Sequence, residues 1–221
     1  MALTFRKNLL LQTSLSTPEI FISKRQPLLE QLDFFFSCLN SSEKSRANAA
    51  KNLRRREDFI ISRGLSRLML AQKLGCPPSS LVIEVDVCGR PHLPNDDFFY
   101  SLSHSADAIA LAISKENIAL DIENLQRERN FAPIIKSYFN VVMLRLIKNS
   151  RNKKKAFYKA WVKHEAWAKY NSASALRHNF EKIPPHHLHR IIFGEYALCA
   201  ASALPFGRNF RLRSVRVSHL Y

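Results

Sequence analysis

Two apolar runs lying close together, Ala108 to Ile113 and Ile118 to Ile122, limit the fold more than any other part of this 221-residue chain. Ser114-Lys115-Glu116-Asn117 separates them, so they read as a β-hairpin with a four-residue loop. The opening third has a different pattern and reads as helical. Pro27 to Leu39 is rich in apolar residues, and Asn40-Ser41-Ser42-Glu43 has the form of a capping box before a long helix. In that helix Ile61, Leu65, Leu68 and Leu74 recur at helical spacing, and Gly75 with Pro77-Pro78 marks its end. Leu81 to Val87 alternates as a strand does and stops at Gly89-Arg90-Pro91.

Beyond the hairpin a helical region is interrupted by the basic run Arg151 to Lys155, and a second strong helix covers about Ala156 to Tyr170. Glu195 to Ala203 and Arg211 to Val217 read as further strands. Helices mixed with short, mainly antiparallel strands predict an α+β protein, and no internal repeat is visible. Hydrophobic residues make up 46% of the chain, enough for one large core or two small ones.

The net charge of +16 creates a field that attracts polyanions, acidic proteins or phosphate-rich small molecules. No segment is long and apolar enough to span a bilayer. After Arg6 and Lys7 the only apolar run is Leu9-Leu10-Leu11, too short for a secretory signal, so a cytoplasmic location is expected. Cys38, Cys76, Cys88 and Cys199 form no CxxC pair, which argues against a zinc site or a disulfide framework.

Asp121 and Glu123 stand two apart on an expected strand, so both carboxylates point to one face. Alone, such a pair is most simply a solvated face. Trp161, Glu165 and Lys169, at i, i+4 and i+8 with His164 beside them, form one stripe on the later helix. Together the two features offer three carboxylates, a lysine and a histidine. Magnesium takes hard oxygen ligands and leaves positions for substrate phosphates, so three acids in a basic chain suit a metal bridging to a diphosphate. Ser101-Leu102-Ser103-His104-Ser105 adds hydroxyls and an imidazole, and Gly89-Arg90-Pro91 presents a guanidinium on a turn, suited to phosphate.

In this order Gly89-Arg90-Pro91, Ser101 to Ser105, Ala119-Leu120-Asp121-Ile122-Glu123 and Trp161 to Lys169 resemble the 4'-phosphopantetheinyl transferase superfamily, in its long monomeric type that activates surfactin and enterobactin synthetases. The resemblance runs from about Asn40 to Ala203. It implies a pseudo-dimer of two similar α+β halves, 1–116 and 117–221, with coenzyme A in the cleft between them. It further implies that Asp121, Glu123 and Glu165 bind magnesium, and that Lys169 holds the diphosphate. Arg90, Ser103 and His104 would contact the nucleotide and its 3'-phosphate, and Arg46 is a further basic contact to coenzyme A. Glu165 is the expected general base, with Lys169 and His164 stabilising the leaving group. The co-substrate is an acidic acyl or peptidyl carrier protein, the chain is expected to be a monomer, and no nucleic-acid partner is expected.

Three positions depart from the family pattern: His164 replaces a lysine, Met143 replaces an acid, and Ala119 replaces a glycine. They keep open a relative that binds coenzyme A or a carrier protein without catalysis. The charge together with the Asp121/Glu123 pair also admits a nucleic-acid-binding protein or metal-dependent nuclease. However, Glu123 is followed by Asn124-Leu125 and not by the Glu-x-Lys such nucleases use.

Overall fold

The first strand, β1 (Glu19–Lys24), lies where only helices were expected. Its Glu-Ile-Phe-Ile-Ser-Lys alternation sends Phe21 to one core and Ile20 and Ile22 to another, as period-two geometry requires. The computed structural model describes residues 18–87, 89–95, 98–171, 188–203 and 211–214. After β1 come α1 (Arg25–Leu29), α2 (Leu32–Ser37), α3 (Ser41–Ala49) and α4 (Leu53–Leu74). The expected capping box is present: Asn40 accepts from the Glu43 N–H and Glu43 accepts from the Asn40 N–H. It opens a short helix, because the chain becomes extended at Ala50 and Asn52 caps α4 afresh. Glu43 also accepts from the fully buried Arg67 at 2.5 Å, which ties α3 to α4. Gly75 ends α4 in the left-handed region at φ 68°.

The expected strand from Leu81 to Val87 shrinks to β2 (Glu84–Val85), which pairs with β3 (Pro91–His92). Val82, Val85 and Val87 are exposed, so no apolar layer covers a longer strand there. Next follow β4 (Phe99–Ser105), β5 (Ala108–Ser114) and β6 (Ile118–Asn124), then α5 (Ala132–Tyr138), α6 (Val141–Lys148) and α7 (Lys153–Tyr170). The described chain ends with β7 (Leu188–Phe193), β8 (Tyr196–Ser202) and β9 (Arg211–Ser214). β7 was not foreseen. Residues 215–217 of the last expected strand lie outside the described residues, as does Cys88.

The expected hairpin does not form. β5 pairs antiparallel with β4 and β1, whereas β6 pairs antiparallel with β8 in a second sheet. The sheet orders are β4-β5-β1-β9 and β6-β8-β7, with β9 parallel to β1. Ser114 to Asn117 therefore carries the chain from one sheet to the other. The true hairpin is β4–β5, closed by Ala106 and Asp107, and Ala106 adopts φ 54°. The serine-rich segment Ser101 to Ser105 is thus part of this hairpin's first strand.

Four layers result. Ile109, Leu111 and Ile113 of β5 meet α4 and its neighbours, while Ala108, Ala110 and Ala112 on the opposite face meet Ile118, Leu120 and Ile122 of β6. Alanine on the inner face lets the two sheets approach closely. On the far side Ala197, Cys199 and Ala201 of β8 pack under Phe157, Trp161 and Val162 of α7. Small antiparallel sheets flanked by helices make this an α+β protein. Among the described residues no helix is long and apolar enough to cross a membrane.

Gly64 on α4 marks a close approach to α2. A Cβ there would lie 2.6 Å from both Cβ and the carbonyl oxygen of Phe35 on α2. Alanine normally stabilises a helix interior by about 0.5–1 kcal/mol over glycine, but overpacking costs about 1–3 kcal/mol. Gly64→Ala is therefore expected to be net destabilising, by roughly 1–2 kcal/mol in urea unfolding. A midpoint at or above that of the wild type would contradict this packing.

Candidate active site

The two sheets are joined where β4 runs alongside the free edge of β6. The alternation Ser101, Ser103, Ser105 puts three hydroxyls on one buried face of β4. Ser101 Oγ accepts the Leu120 N–H at 3.0 Å, Ser103 Oγ the Ile122 N–H at 3.4 Å, and Ser105 Oγ the Asn124 N–H at 3.0 Å. Side-chain hydroxyls thus satisfy the donors of an edge strand that has no backbone partner on that side.

Two of these hydroxyls donate hydrogen bonds to the acids. Ser103 Oγ donates to Asp121 Oδ1 at 2.8 Å, and Ser105 Oγ donates to Glu123 Oε2 at 2.7 Å. Lys169 Nζ, from the last turn of α7, donates to Asp121 Oδ1 at 2.7 Å and to Ser103 Oγ and the Leu120 carbonyl at 3.3 Å. Ser103 thereby uses its one proton and both lone pairs.

Asp121, Glu123, Glu165 and Lys169 line one cavity of about 280 Å³, together with Leu102, Ser103 and His104 of β4, Trp161 of α7, and Arg129. Glu165 and Lys169 reach it because they lie one turn apart on α7, which packs across β6 and β8. Arg129 Nη1 stands 3.8 Å from Glu123 Oε1. Burial, then the Asp121 charge, pushes the Glu165 carboxyl up to about 7, against the pull of Lys169. Burial also raises Glu123, which the Ser105 hydrogen bond opposes. Asp121 Oδ2 is buried and has no hydrogen-bond partner.

Among the described residues no group of three or more His, Cys, Asp or Glu side chains is closed around a point as a metal cage would be. The donor set nevertheless suits magnesium, which takes one or two carboxylates and keeps waters and phosphates in its other positions. Three carboxylates face one cavity, and one buried oxygen lacks a partner.

Other expected site residues lie elsewhere. Arg46 is exposed on α3, with its guanidinium 4.9 Å from the Phe59 ring centre, and does not line the cavity. Arg90 donates to the Ile118 carbonyl at 2.6 Å, to Asn117 Oδ1 at 2.8 Å and to the Lys169 carbonyl at 3.4 Å, and burial lowers its pKa. It ties the β2–β3 turn to the start of β6 and the end of α7. His164 is 2% exposed and packs 5.5 Å from Trp161 and 5.8 Å from Tyr138, centre to centre. It is not among the residues lining the cavity. Met143 gives its N–H to the Asn140 cap and packs against the aromatic core, and Ala119 is buried opposite Ala201.

Sequence reasoning missed Arg129, Leu102 and the supporting roles of Ser101 and Ser105. Arg129 follows a turn and belongs to no periodic pattern, whereas the alternating serines were a visible signal for a strand.

A carboxyl whose folded pKa is raised favours folding below its unfolded value near 4.5, and that contribution is lost as pH rises through about 7. Glu165→Gln removes this loss. The variant is expected to be more stable than the wild type at pH 8, by about 1–2 kcal/mol after solvent screening. The difference should vanish by about pH 4. Equal stabilities at pH 8 in denaturant titrations would show that Glu165 ionises without strain.

Residues 23–116 match the family model described as 4'-phosphopantetheinyl transferase, N-terminal. The chain is 27% identical over 146 residues to 4'-phosphopantetheinyl transferase HetI of Nostoc sp. strain PCC 7120, covering 63% of this chain and 62% of that protein. It is 23% identical over 137 residues to slr0495 of Synechocystis sp. strain PCC 6803, whose name carries the same enzyme title in provisional form; 59% of this chain and 56% of that protein are covered. The chain thus spans about six tenths of the length of the curated relatives it matches. Residues 23–116 are thus similar to the N-terminal part of the 4'-phosphopantetheinyl transferases, and the chain is similar to both relatives.

Proposed function

We propose that this chain moves the 4'-phosphopantetheine arm of coenzyme A onto a serine of an acidic acyl or peptidyl carrier protein, releasing 3',5'-ADP, with magnesium as the metal. The observation that carries this reading is the convergence of Asp121, Glu123, Glu165 and Lys169 on one cavity braced by the β4 serines. The family match and the named relatives supply the reaction class.

Asp121, Glu123 and Glu165 are the residues that would hold magnesium, whose chemistry is to neutralise charge on the diphosphate. Ser103 and Ser105 fix the orientation of the first two carboxylates. The carrier serine Oγ forms a bond to the phosphorus bearing the pantetheine arm, and the bond from that phosphorus to the bridging oxygen breaks. Glu165, directly or through a water, takes the serine proton. Lys169 stabilises charge on the departing 3',5'-ADP. The catalytic roles rest on Glu165 and Lys169, since His164 is buried among aromatic rings.

The nucleotide is assigned to His104, Arg90 and Arg46, and to Ser103 if its hydroxyl exchanges one of its present hydrogen bonds for the ligand. Arg90 spends three of its five N–H groups on Asn117, Ile118 and Lys169, which leaves two for an anion. Leu102, Ser103 and His104 come from residues 1–116 and the other lining residues from 117–221, which supports a site between two halves of one chain, and the proposed assembly is a monomer. The proposed setting is the cytoplasm, where coenzyme A and apo-carriers meet. The charge of +16 would steer acidic carriers toward the site.

Incubation with coenzyme A, magnesium and a panel of apo-carrier proteins should give the phosphopantetheine mass increase on the carrier, and chelation of magnesium should abolish it. Asp121→Ala should lower transfer by roughly 100-fold or more, the scale of losing one electrostatic stabiliser of a transition state. Absence of transfer to every carrier would overturn the reading, and full activity of Asp121→Ala at limiting magnesium would overturn the metal assignment.

A further inference from the structure

α6 is apolar on more faces than its packing uses. Six of its eight residues, Val-Val-Met-Leu-Arg-Leu-Ile-Lys, are apolar. Met143 and Ile147 pack into the aromatic core against α7. Val141, Val142 and Leu146 are exposed at 61%, 63% and 62%, far above what a helix resting on a core leaves open. Val142, Arg145, Leu146 and Asn149 follow i, i+3, i+4, i+7 and, with Ser150, line a groove of about 350 Å³. Contiguous exposed apolar surface rimmed by polar groups marks an interaction site.

The rim states the partner's charge. Residues 130–164 contain nine Lys or Arg and no Asp or Glu. Arg145, Lys148, Arg151, Lys153 and Lys155 are exposed on or just after α6. An occupant must bring an apolar side chain for the groove and carboxylates for its border. A bilayer suits this poorly, because interfacial helices are commonly 20–30 residues long and α6 has two turns. A single-stranded nucleic acid would look for aromatic rings to stack on, and the groove offers valine and leucine.

We infer that the α6 groove is the docking surface for an acidic, amphipathic helix of the carrier protein, with Val142 and Leu146 receiving its apolar side chain and Arg145 and Lys148 its carboxylates. This assignment rests on the transferase reading and names where that co-substrate sits. The position is suitable, because Phe139, next to the Asn140 cap of α6, lies 6.3 Å centre to centre from Trp161, which lines the catalytic cavity. A carrier seated on α6 lies beside the wall past which its serine must reach.

The test measures transfer kinetics and carrier affinity for the wild type, Leu146→Glu and the double variant Arg145→Glu/Lys148→Glu. All three side chains are exposed, so folding is expected to be kept. If Leu146→Glu proves unfolded by circular dichroism, Leu146→Ala is measured in its place. Each variant should lower kcat/KM for the apo-carrier by about tenfold, through KM, and leave the KM for coenzyme A unchanged. The double variant should also flatten the salt dependence of carrier binding. Unchanged carrier kinetics in both variants overturns the inference while leaving the transferase reading standing. If the wild type transfers nothing, that reading fails, and fluorescence anisotropy with the same apo-carriers decides the surface. Weaker binding by Leu146→Glu then upholds it, and equal binding, or none by the wild type, overturns it. Loss of binding to phosphatidylglycerol/phosphatidylethanolamine vesicles or to single-stranded RNA, with carrier affinity intact, reassigns the surface and overturns the inference as well.

Discussion

The hydroxyl ladder between β4 and β6 is the joint on which this structure depends. Each of three serines accepts a backbone N–H from β6, and the partners are offset by a constant 19 residues, so the two strands run parallel without sharing a backbone ladder. A backbone ladder would merge the two sheets into one surface. Hydroxyls reach further than carbonyls, so the sheets stay distinct and still lock in register. The two acids of β6 lie between the rungs, and the same hydroxyls that hold the backbone orient their carboxylates. Position and chemistry are therefore set by the same atoms.

This arrangement concentrates like charge in a poorly solvated place. Asp121 and Glu123 are both nearly buried, and Glu165 faces them across the cavity. Lys169 offsets part of the repulsion through Asp121, and Arg129 offsets part through Glu123. Burial first, and the Asp121 charge after it, raise the pKa values of Glu123 and Glu165. A cluster held in that state is stabilised by whatever cation or proton it captures, which is how a fold stores affinity for a ligand.

Much of the site was legible in the sequence, because spacing alone puts Asp121 and Glu123 on one face of a strand and Glu165 and Lys169 on one stripe of a helix. His164 shows the limit of that reasoning. It adjoins Glu165 in sequence, but one residue turns a helix by about 100°, which carries its ring into the core with Tyr138. The fold was legible where local chemistry decides it, at the Asn40 cap and the Gly75 stop. It was not legible at β5 and β6. A strand buried on both faces loses the alternation that tells a partner strand from a strand of the next sheet. β1 went unseen for a related reason, since six residues among helical patterns carry little periodic signal.

The pairing of β9 with β1 ties Arg211–Ser214 to Glu19–Lys24, and almost the whole chain lies between them. During synthesis β1 therefore emerges long before β9, and its β9-facing edge stays bare until Arg211–Ser214 has left the ribosome. An unpaired strand edge is a template for association with other chains. Closing so long a loop also sets a late, entropically costly step in assembly. Until Arg211–Ser214 is made and docks on β1, that edge of the sheet stays open to association with other chains.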